Sequence, residues 1–324
     1  MANRNLNIMC NDITQVNNII NKDNIVIFHT NIRSIRKNLD QLDISINQFD
    51  NKPKLIIGTE AWLNEDNIEQ QQFEGYDLYY TIDCINKSDG VVVYADKNLK
   101  HSTKIVNIGS IKAIQTTVFE EIKKFVITSI YRSHKIKKEE FINNLNKYLK
   151  TLNDSEHYFI GDINIDLLDP DSWAELYLNN LFEKKYLPLI KTITRPITHE
   201  KGTCIDHIFC NIYNEDIKTI VCKQMISDHY STILLLDHKK FSVKKNNEFK
   251  FIDYKRLNCL ASKINWLLLI NENNDLSIKN IVNAIKQLIS KSTKNYHNKR
   301  KYKKRSNWIT FGLAKSCGIK NRVE

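Results

Sequence analysis

The residues of this chain that could do chemistry fall at the ends of short apolar runs. In His157-Tyr158-Phe159-Ile160-Gly161-Asp162-Ile163-Asn164-Ile165-Asp166, a buried-strand signal leads into a carboxylate, an amide and a second carboxylate. Asp162 and Asn164 stand two positions apart, so in extended backbone their side chains point the same way. An acceptor-only group beside one that both donates and accepts can hold and polarise a water molecule. Gly161 reads as the residue that ends the strand and lets the backbone turn. The pattern recurs elsewhere. Glu60 follows Leu55-Ile56-Ile57-Gly58, and Tyr131-Arg132 closes a run that begins at Phe125. Asp206-His207 sits inside Cys204-Ile205-Asp206-His207-Ile208-Phe209, and Ser227-Asp228-His229 precedes an apolar run.

Hydrolysis of a phosphodiester calls for these residue types. A hard cation must offset the developing charge, and carboxylate or amide oxygens suit it, as Glu60 and Asn31 could supply. Asp162 and Asn164 suit the positioning and deprotonation of water. His229 or Tyr131 can donate to the scissile phosphate. An imidazole in that role needs a carboxylate to fix its tautomer, and Asp206 is available. The other histidines, His207 among them, read as structural or surface groups.

The elements that must position these groups are legible from hydrophobic period. Residues 25–29 and 55–58 read as buried strands, and Leu39, Leu42, Ile46 and Phe49 mark a helix over about 35–50. This strand-helix-strand unit puts Asn31 and Glu60 at one sheet edge if the strands are parallel. Residues 77–82, 90–95, 113–119 and 125–131 are short and rich in β-branched and aromatic residues, so antiparallel pairing is expected. Phe141 to Leu152 reads as a helix, 157–161 as a strand, and 172–186 as a helix. The last strands are expected at 203–210, 217–223 and 231–237. Alternating strands and helices with an antiparallel middle imply an α/β fold of two packed sheets with helices outside. Beyond Asp237, residues 257–270 and 278–289 read as helices.

Charge divides the chain at the same place. Residues 239–324 hold 21 Lys/Arg and 5 Asp/Glu, a net of +16, while residues 1–238 hold 27 and 32, a net of −5. A basic tail on a mildly acidic body points to nucleic acid, or to a solvated linker. The expected segments are therefore a flexible leader over 1–23, a catalytic domain over 24–238 and a basic helical linker over 239–324. The seven cysteines are scattered with no Cys-x-x-Cys pair, so neither a zinc site nor a disulfide framework is indicated. No run of about 18 apolar residues is present, which excludes a helical membrane span. The Asn-rich first 24 residues lack the apolar core of a signal peptide.

These stretches resemble the endonuclease/exonuclease/phosphatase superfamily, and more closely the endonuclease domain of LINE-type, jockey-like non-LTR retrotransposon polyproteins. The matching pieces are Asn31-Ile32-Arg33-Ser34, Thr59-Glu60-Ala61-Trp62-Leu63, Tyr131-Arg132-Ser133, Gly161 to Leu168, Thr194-Arg195-Pro196, Ile205 to Phe209 and Ser227-Asp228-His229. They run in family order over about residues 25–238. Two loops depart from the family pattern, at Ser88-Asp89-Gly90 and at His134, where relatives usually carry a Gly-rich run and a proline. The resemblance implies a four-layer α/β sandwich of two mixed, mostly antiparallel sheets packed face to face. It implies Mg²⁺, with Mn²⁺ as an alternative, on Glu60 with Asn31 nearby. Asp162 would activate water, Asn164 orient it, and Tyr131 bind phosphate. His229, oriented by Asp206, would stabilise the oxyanion, and Asp228 would support the metal or the histidine. Arg33 and Arg132 would touch the DNA backbone. The implied activity is nicking of double-stranded target DNA in the nucleus, leaving a 3′-hydroxyl that primes reverse transcription.

Asn307-Trp308-Ile309-Thr310 resembles the segment such polyproteins carry before the reverse transcriptase, and no polymerase signature follows. A front fragment of a longer element product, or a shortened gene product, is the expectation. Lys299, Arg300, Lys301, Lys303, Lys304 and Arg305 form the densest basic run and are expected to bind nucleic acid, element RNA included. The alternatives are another phosphoesterase of the superfamily and a non-catalytic element relic that binds nucleic acid through its tail.

Overall fold

Each strand that carries a candidate residue is buried along nearly its whole length, which requires material against both faces of its sheet. The computed structural model describes residues 7–63, 71–82, 84–120, 124–152, 155–169, 171–198, 201–212, 217–237, 248–270 and 274–297. It divides into two compact units, Met1–Ser242 and Val243–Glu324. The first unit holds β1 (Asn7–Cys10), α1 (Ile13–Asn17), β2 (Asn24–Asn31), α2 (Ile35–Asn47), β3 (Leu55–Thr59), β4 (Tyr76–Tyr80), β5 (Val91–Asp96), β6 (His101–Ile108) and β7 (Ile111–Phe119). It continues with β8 (Lys124–Tyr131), α3 (Lys138–Thr151), β9 (Glu156–Asp162), α4 (Ser172–Glu183), β10 (Leu187–Pro188), β11 (Arg195–Pro196), β12 (Gly202–Thr203), β13 (Asp206–Cys210), β14 (Lys218–Met225) and β15 (Tyr230–Asp237).

Two mixed, mostly antiparallel sheets result. One runs β1-β14-β15-β2-β3-β5-β4 and the other β10-β13-β9-β8-β7-β6. Their parallel pairs are β1 with β14, β2 with β3, and β8 with β9. Alternation along each strand sorts side chains into layers. Ile25 and Ile27 of β2 face inward, meeting Ile127 of β8 and Ile160 of β9 in a core shared by both sheets. Val26 and Phe28 face outward, against Ile13 and Val16 of α1 and Ile35, Leu42 and Ile46 of α2. On the far side, Ile130 and Phe159 pack on Phe141 and Leu145 of α3 and Tyr177 and Leu181 of α4. The order is helix, sheet, sheet, helix, the four-layer sandwich expected. Burial of each such side chain stabilises by about 1.5–3 kcal/mol, so the layers cohere through this apolar alternation.

Several elements differ from the sequence reading. Residues 7–20 do not form a flexible leader. Asn7–Cys10 adds to the sheet edge in register with Thr219–Cys222, and Asp12 caps α1 by accepting from the Gln15 amide (2.9 Å). The apolar residues Cys10, Ile13 and Val16 are each at most 3% exposed, which is why this segment docks. β6 was not anticipated, because its sequence is polar and it lies at the edge of its sheet. The helix expected to reach residue 186 ends at Glu183, where Lys185 takes φ +66° and turns the chain.

The second unit is not purely helical. β16 (Glu248–Ile252) pairs antiparallel with β17 (Thr293–His297), enclosing α5 (Tyr254–Ala261) and α6 (Asn274–Ser292). The helix expected over 257–270 stops at Ala261, and a single 3-10 turn follows at Trp266–Leu269. The Ala261 carbonyl accepts from Ile264 N (3.3 Å) and from Trp266 Nε1 (3.1 Å), which stabilises that break. The basic run Lys299 to Arg305 and the Asn307–Thr310 segment lie outside the described residues.

Candidate active site

The parallel register of β2 on β3 sets Asn31 beside Thr59, so Glu60 emerges next to it. The parallel register of β8 on β9 sets Tyr131 beside Asp162, and β13 places Asp206 on the other side of Asp162. β2 and β9 belong to opposite sheets, yet their ends meet across the sandwich. Asn31 Nδ2 donates to Asp162 Oδ2 (2.7 Å) and Glu60 Oε1 (3.1 Å). Tyr131 donates its hydroxyl proton to the same Glu60 oxygen (3.2 Å). His229, delivered by the loop before β15, holds Asp206 through Nδ1 and Oδ2 at 2.8 Å. All eight catalytic and metal candidates except Asp228 thus join through short contacts at one edge.

Backbone strain is concentrated at the same edge. Among the described residues, Arg33, Ser34, Glu60, Trp62, Asn164 and Lys185 are the non-glycine positions with positive φ, and the first five flank the site. Such conformations cost about 1–3 kcal/mol each and persist where surrounding structure fixes them. Here the fixing bonds run from Ser34 N to Glu60 O (2.8 Å) and from Ala61 N to Gly90 O (3.2 Å).

The Asp162 loop turns differently from the sequence reading. Gly161 lies inside β9, and a Cβ there would sit 1.8 Å from the Ile130 carbonyl oxygen. Glycine is required for the close approach of β8, and the turn itself falls at Asn164, with φ +54°. Asn164 donates its backbone N–H to Asp162 Oδ1 (3.1 Å) and its side-chain amide to the Arg132 carbonyl (2.8 Å).

Arg132 does not face nucleic acid. It is 2% exposed and donates to the carbonyls of Ile163 (2.6 Å), Ile136 (2.5 Å) and Asn164 (2.9 Å). The guanidinium is consumed in tying the β8 and β9 loops together. Asp228 supports the histidine, one of its two expected roles, since its charge helps to hold the His229 imidazolium. Its carboxylate pairs with Arg33 (3.0 Å) and Arg195 (2.9 Å) at the rim. Arg33 itself is half exposed.

Charge at the site follows from burial and proximity. Burial, and then the charge of Asp206, push the Asp162 carboxyl well above the usual carboxylate range. Burial works against the His229 imidazolium, but Asp206 outweighs it and lifts that group to about 9. His229 is therefore a protonated donor at neutral pH, with Nδ1 committed to Asp206. Burial, with Glu60 and Asp162 adding to it, raises the Tyr131 phenol, so it stays protonated.

Two donor sets could receive a cation. Asp162, Asp206 and His229 bring ligand atoms within 4.8 Å of one another. His229 Nδ1 and Asp206 Oδ2 are already spent on each other at 2.8 Å, so this set fits poorly. Glu60 and Asp162 offer hard carboxylate oxygens to either side of the Asn31 amide, and that chemistry fits a small dication such as Mg²⁺.

Sequence reading missed the supports. Thr194 Oγ1 accepts from the backbone N–H groups of Ile205 and Asp206, both at 3.1 Å, and so sets the start of β13. Ser227 donates to the Asn31 carbonyl. His29 lies buried beneath the site, bonded to Thr232 (3.0 Å). Thr194-Arg195-Pro196 was visible as a motif, but only the fold shows what its residues hold.

The strand order, the four layers and this edge define a class, the fold of the endonuclease/exonuclease/phosphatase proteins. Within it, the chain is similar to the endonuclease domain of TRAS1, a telomere-specific non-LTR retrotransposon. The TM-score is 0.56 and the identity 14%, covering 67% of this chain and 99% of that one. It is also similar to a 3′-5′ exonuclease from Neisseria meningitidis, with TM-score 0.53 and 16% identity, covering 65% of this chain and 99% of that one. An AP endonuclease from Archaeoglobus fulgidus gives TM-score 0.52 and 15% identity, covering 66% and 99%. At these identities the likeness is one of fold. No family model and no curated protein matches the sequence.

Proposed function

We propose that the sandwich is a Mg²⁺-dependent DNA endonuclease, with Mn²⁺ as a possible substitute, that nicks double-stranded target DNA. The single observation that carries this reading is the joining of Asn31, Glu60, Tyr131, Asp162 and the Asp206–His229 pair at one sandwich edge. A dication held by Glu60, with Asn31 beside it, would supply positive charge to the phosphate oxygens. Asp162, with its raised proton affinity, takes the proton of the attacking water as that oxygen bonds to phosphorus. Asn164 fixes the Asp162 carboxylate through its backbone N–H. His229 donates to the phosphate oxygen on which charge develops, and Tyr131 keeps its proton and donates as well. Cleavage of the bond from phosphorus to the 3′ oxygen, which then takes up a proton, leaves a 3′-hydroxyl and a 5′-phosphate.

The 3′-hydroxyl would prime reverse transcription, work that would be done in the nucleus. The basic run of Lys299 to Arg305 would add affinity for the target or for element RNA. The basic tail and the Thr59-Glu60-Ala61-Trp62-Leu63 and Tyr131-Arg132 motifs support this assignment over a phosphoesterase acting on a phospholipid or inositol phosphate. Incubation with supercoiled plasmid tests it. Relaxed circles are expected with Mg²⁺ and none with EDTA, and Glu60→Gln should reduce nicking to background while the circular-dichroism spectrum is unchanged. Parental nicking by Glu60→Gln would remove Glu60 from the mechanism. Trimming of linear ends without nicking would replace the endonuclease with an exonuclease.

A further inference from the structure

We infer that Arg33 and Arg195, gathered by Asp228, form a clamp for one backbone phosphate beside the scissile one; this rests on the phosphodiester-hydrolase reading of the adjoining site. Asp228 gives one oxygen to each guanidinium, Oδ1 to Arg33 and Oδ2 to Arg195. Two cations on one carboxylate leave a net positive charge and force the guanidiniums close together. As a device for stability this is poor, since surface pairs are worth about 0–1 kcal/mol and the cations repel each other. As an anion receptor it is good. Each guanidinium has five N–H donors in a planar fork, and Asp228 engages only part of each. The side chains are 52% and 40% exposed, so the remaining donors reach solvent.

Position ties the clamp to the chemistry. Asp228 directly precedes His229, about 3.8 Å along the backbone. Arg33 follows Asn31 by two residues, and its backbone N–H donates to Asn31 Oδ1 (3.2 Å). Arg195 is fixed by the β11–β12 pair and by the bond from Tyr230 N to Thr194 O (2.7 Å). Arg132 is buried, which leaves Arg33 and Arg195 to serve the substrate.

A fluorescent 20-base-pair duplex in EDTA, where no turnover occurs, tests the clamp by anisotropy across a salt series. One phosphate neutralised contributes about 0.9 to the slope of log K against log salt. The Arg33→Ala/Arg195→Ala double variant is expected to lose about 0.9 of that slope and to bind about tenfold more weakly at low salt, the worth of a charged hydrogen bond. Each single variant should lose less slope, because the remaining guanidinium still neutralises the phosphate. Arg195→Lys should keep the slope but bind more weakly, having charge without the fork. Parental slope and affinity in the double variant would overturn the clamp. So would a loss of about 1.8, the signature of two separate phosphates. A chain that nicks plasmid while its double variant binds as the parent does keeps the nuclease and loses the clamp. A chain that never nicks, yet shows the 0.9 loss, keeps the clamp and loses the nuclease.

Discussion

Asp206 and His229 act on one another before they act on any substrate. Both are buried, at 0% and 3% exposure, and their contact is a charge-assisted hydrogen bond of 2.8 Å. An imidazole without that partner would lose its tautomer, its orientation and much of its positive charge together. General acid and electrostatic donors of this kind contribute about 10²–10⁴-fold in rate. His229→Ala and Asp206→Asn are each expected to slow nicking by about that range, and the double variant by little more than the worse single one. Single-turnover nicking of all four proteins measures this. Simple multiplication of the two defects would show that the residues work independently. The residue types at the site were legible because each stands at a strand end with an unusual polar group. Arg132 was misread for a physical reason. A guanidinium beside Tyr131 looks like a phosphate ligand in sequence, and only packing shows its donors spent on four carbonyls.

At the scale of elements, β1 and α1 close the outer edge of the seven-stranded sheet. Cys10, Ile13 and Val16 cover Ile220 and Cys222 of β14, an apolar surface that water would otherwise reach. Deletion of residues 1–23 is expected to lower stability by several kcal/mol, at about 1.5–3 kcal/mol for each large apolar side chain uncovered. Urea unfolding of the shortened chain checks it, and an unchanged midpoint would mean that the segment rests on the sheet without supporting it. The strand and helix periods of the core elements were readable because one face of each is apolar. β6 was not, since this edge strand carries polar residues and shows no such period, and β1 was not, since its four residues are too few to show one.

A second prediction at this scale concerns β9. His157 at its start is bonded to Thr128 (2.8 Å) and Tyr186 (2.6 Å) and lies far along the strand from Asp162. Burial pushes its imidazole down to about 3. The unfolded chain takes up a proton at about 6.5, and the folded one does not until about 3. Stability from this group is therefore complete above pH 6.5 and is lost as pH falls toward 3, by up to about 1.4 kcal/mol per pH unit. His29 and His207, pushed down to about 4 by burial, add to the same trend. Urea midpoints at pH 7 and pH 5 should separate by less in His157→Gln than in the parent. An equal separation would mean that His157 titrates alike in both states.

For the whole molecule, the question is what a strongly basic segment does for a mildly acidic catalytic body. Residues 239–324 carry a net of +16 and residues 1–238 a net of −5. Under the proposed nuclease reading, a net-negative body gains little from long-range attraction to DNA, so affinity would come from local contacts such as the proposed one at Arg33 or from the tail. Phosphate contacts by Lys and Arg release counterions, and each adds about 0.9 to the salt slope. Every residue assigned to the chemistry precedes Asp237, the end of β15. A chain ending at Asp237 is therefore expected to keep its nicking chemistry and metal requirement, while binding DNA more weakly and with a salt slope shallower by several units. Anisotropy against salt for the full and shortened chains, with plasmid nicking in parallel, gives both quantities. Equal affinity and slope would make the tail a spacer. Unfolding of the shortened chain would mean that the segment after Asp237 supports the sandwich, and the division of the molecule into a catalytic body and a binding tail would fall.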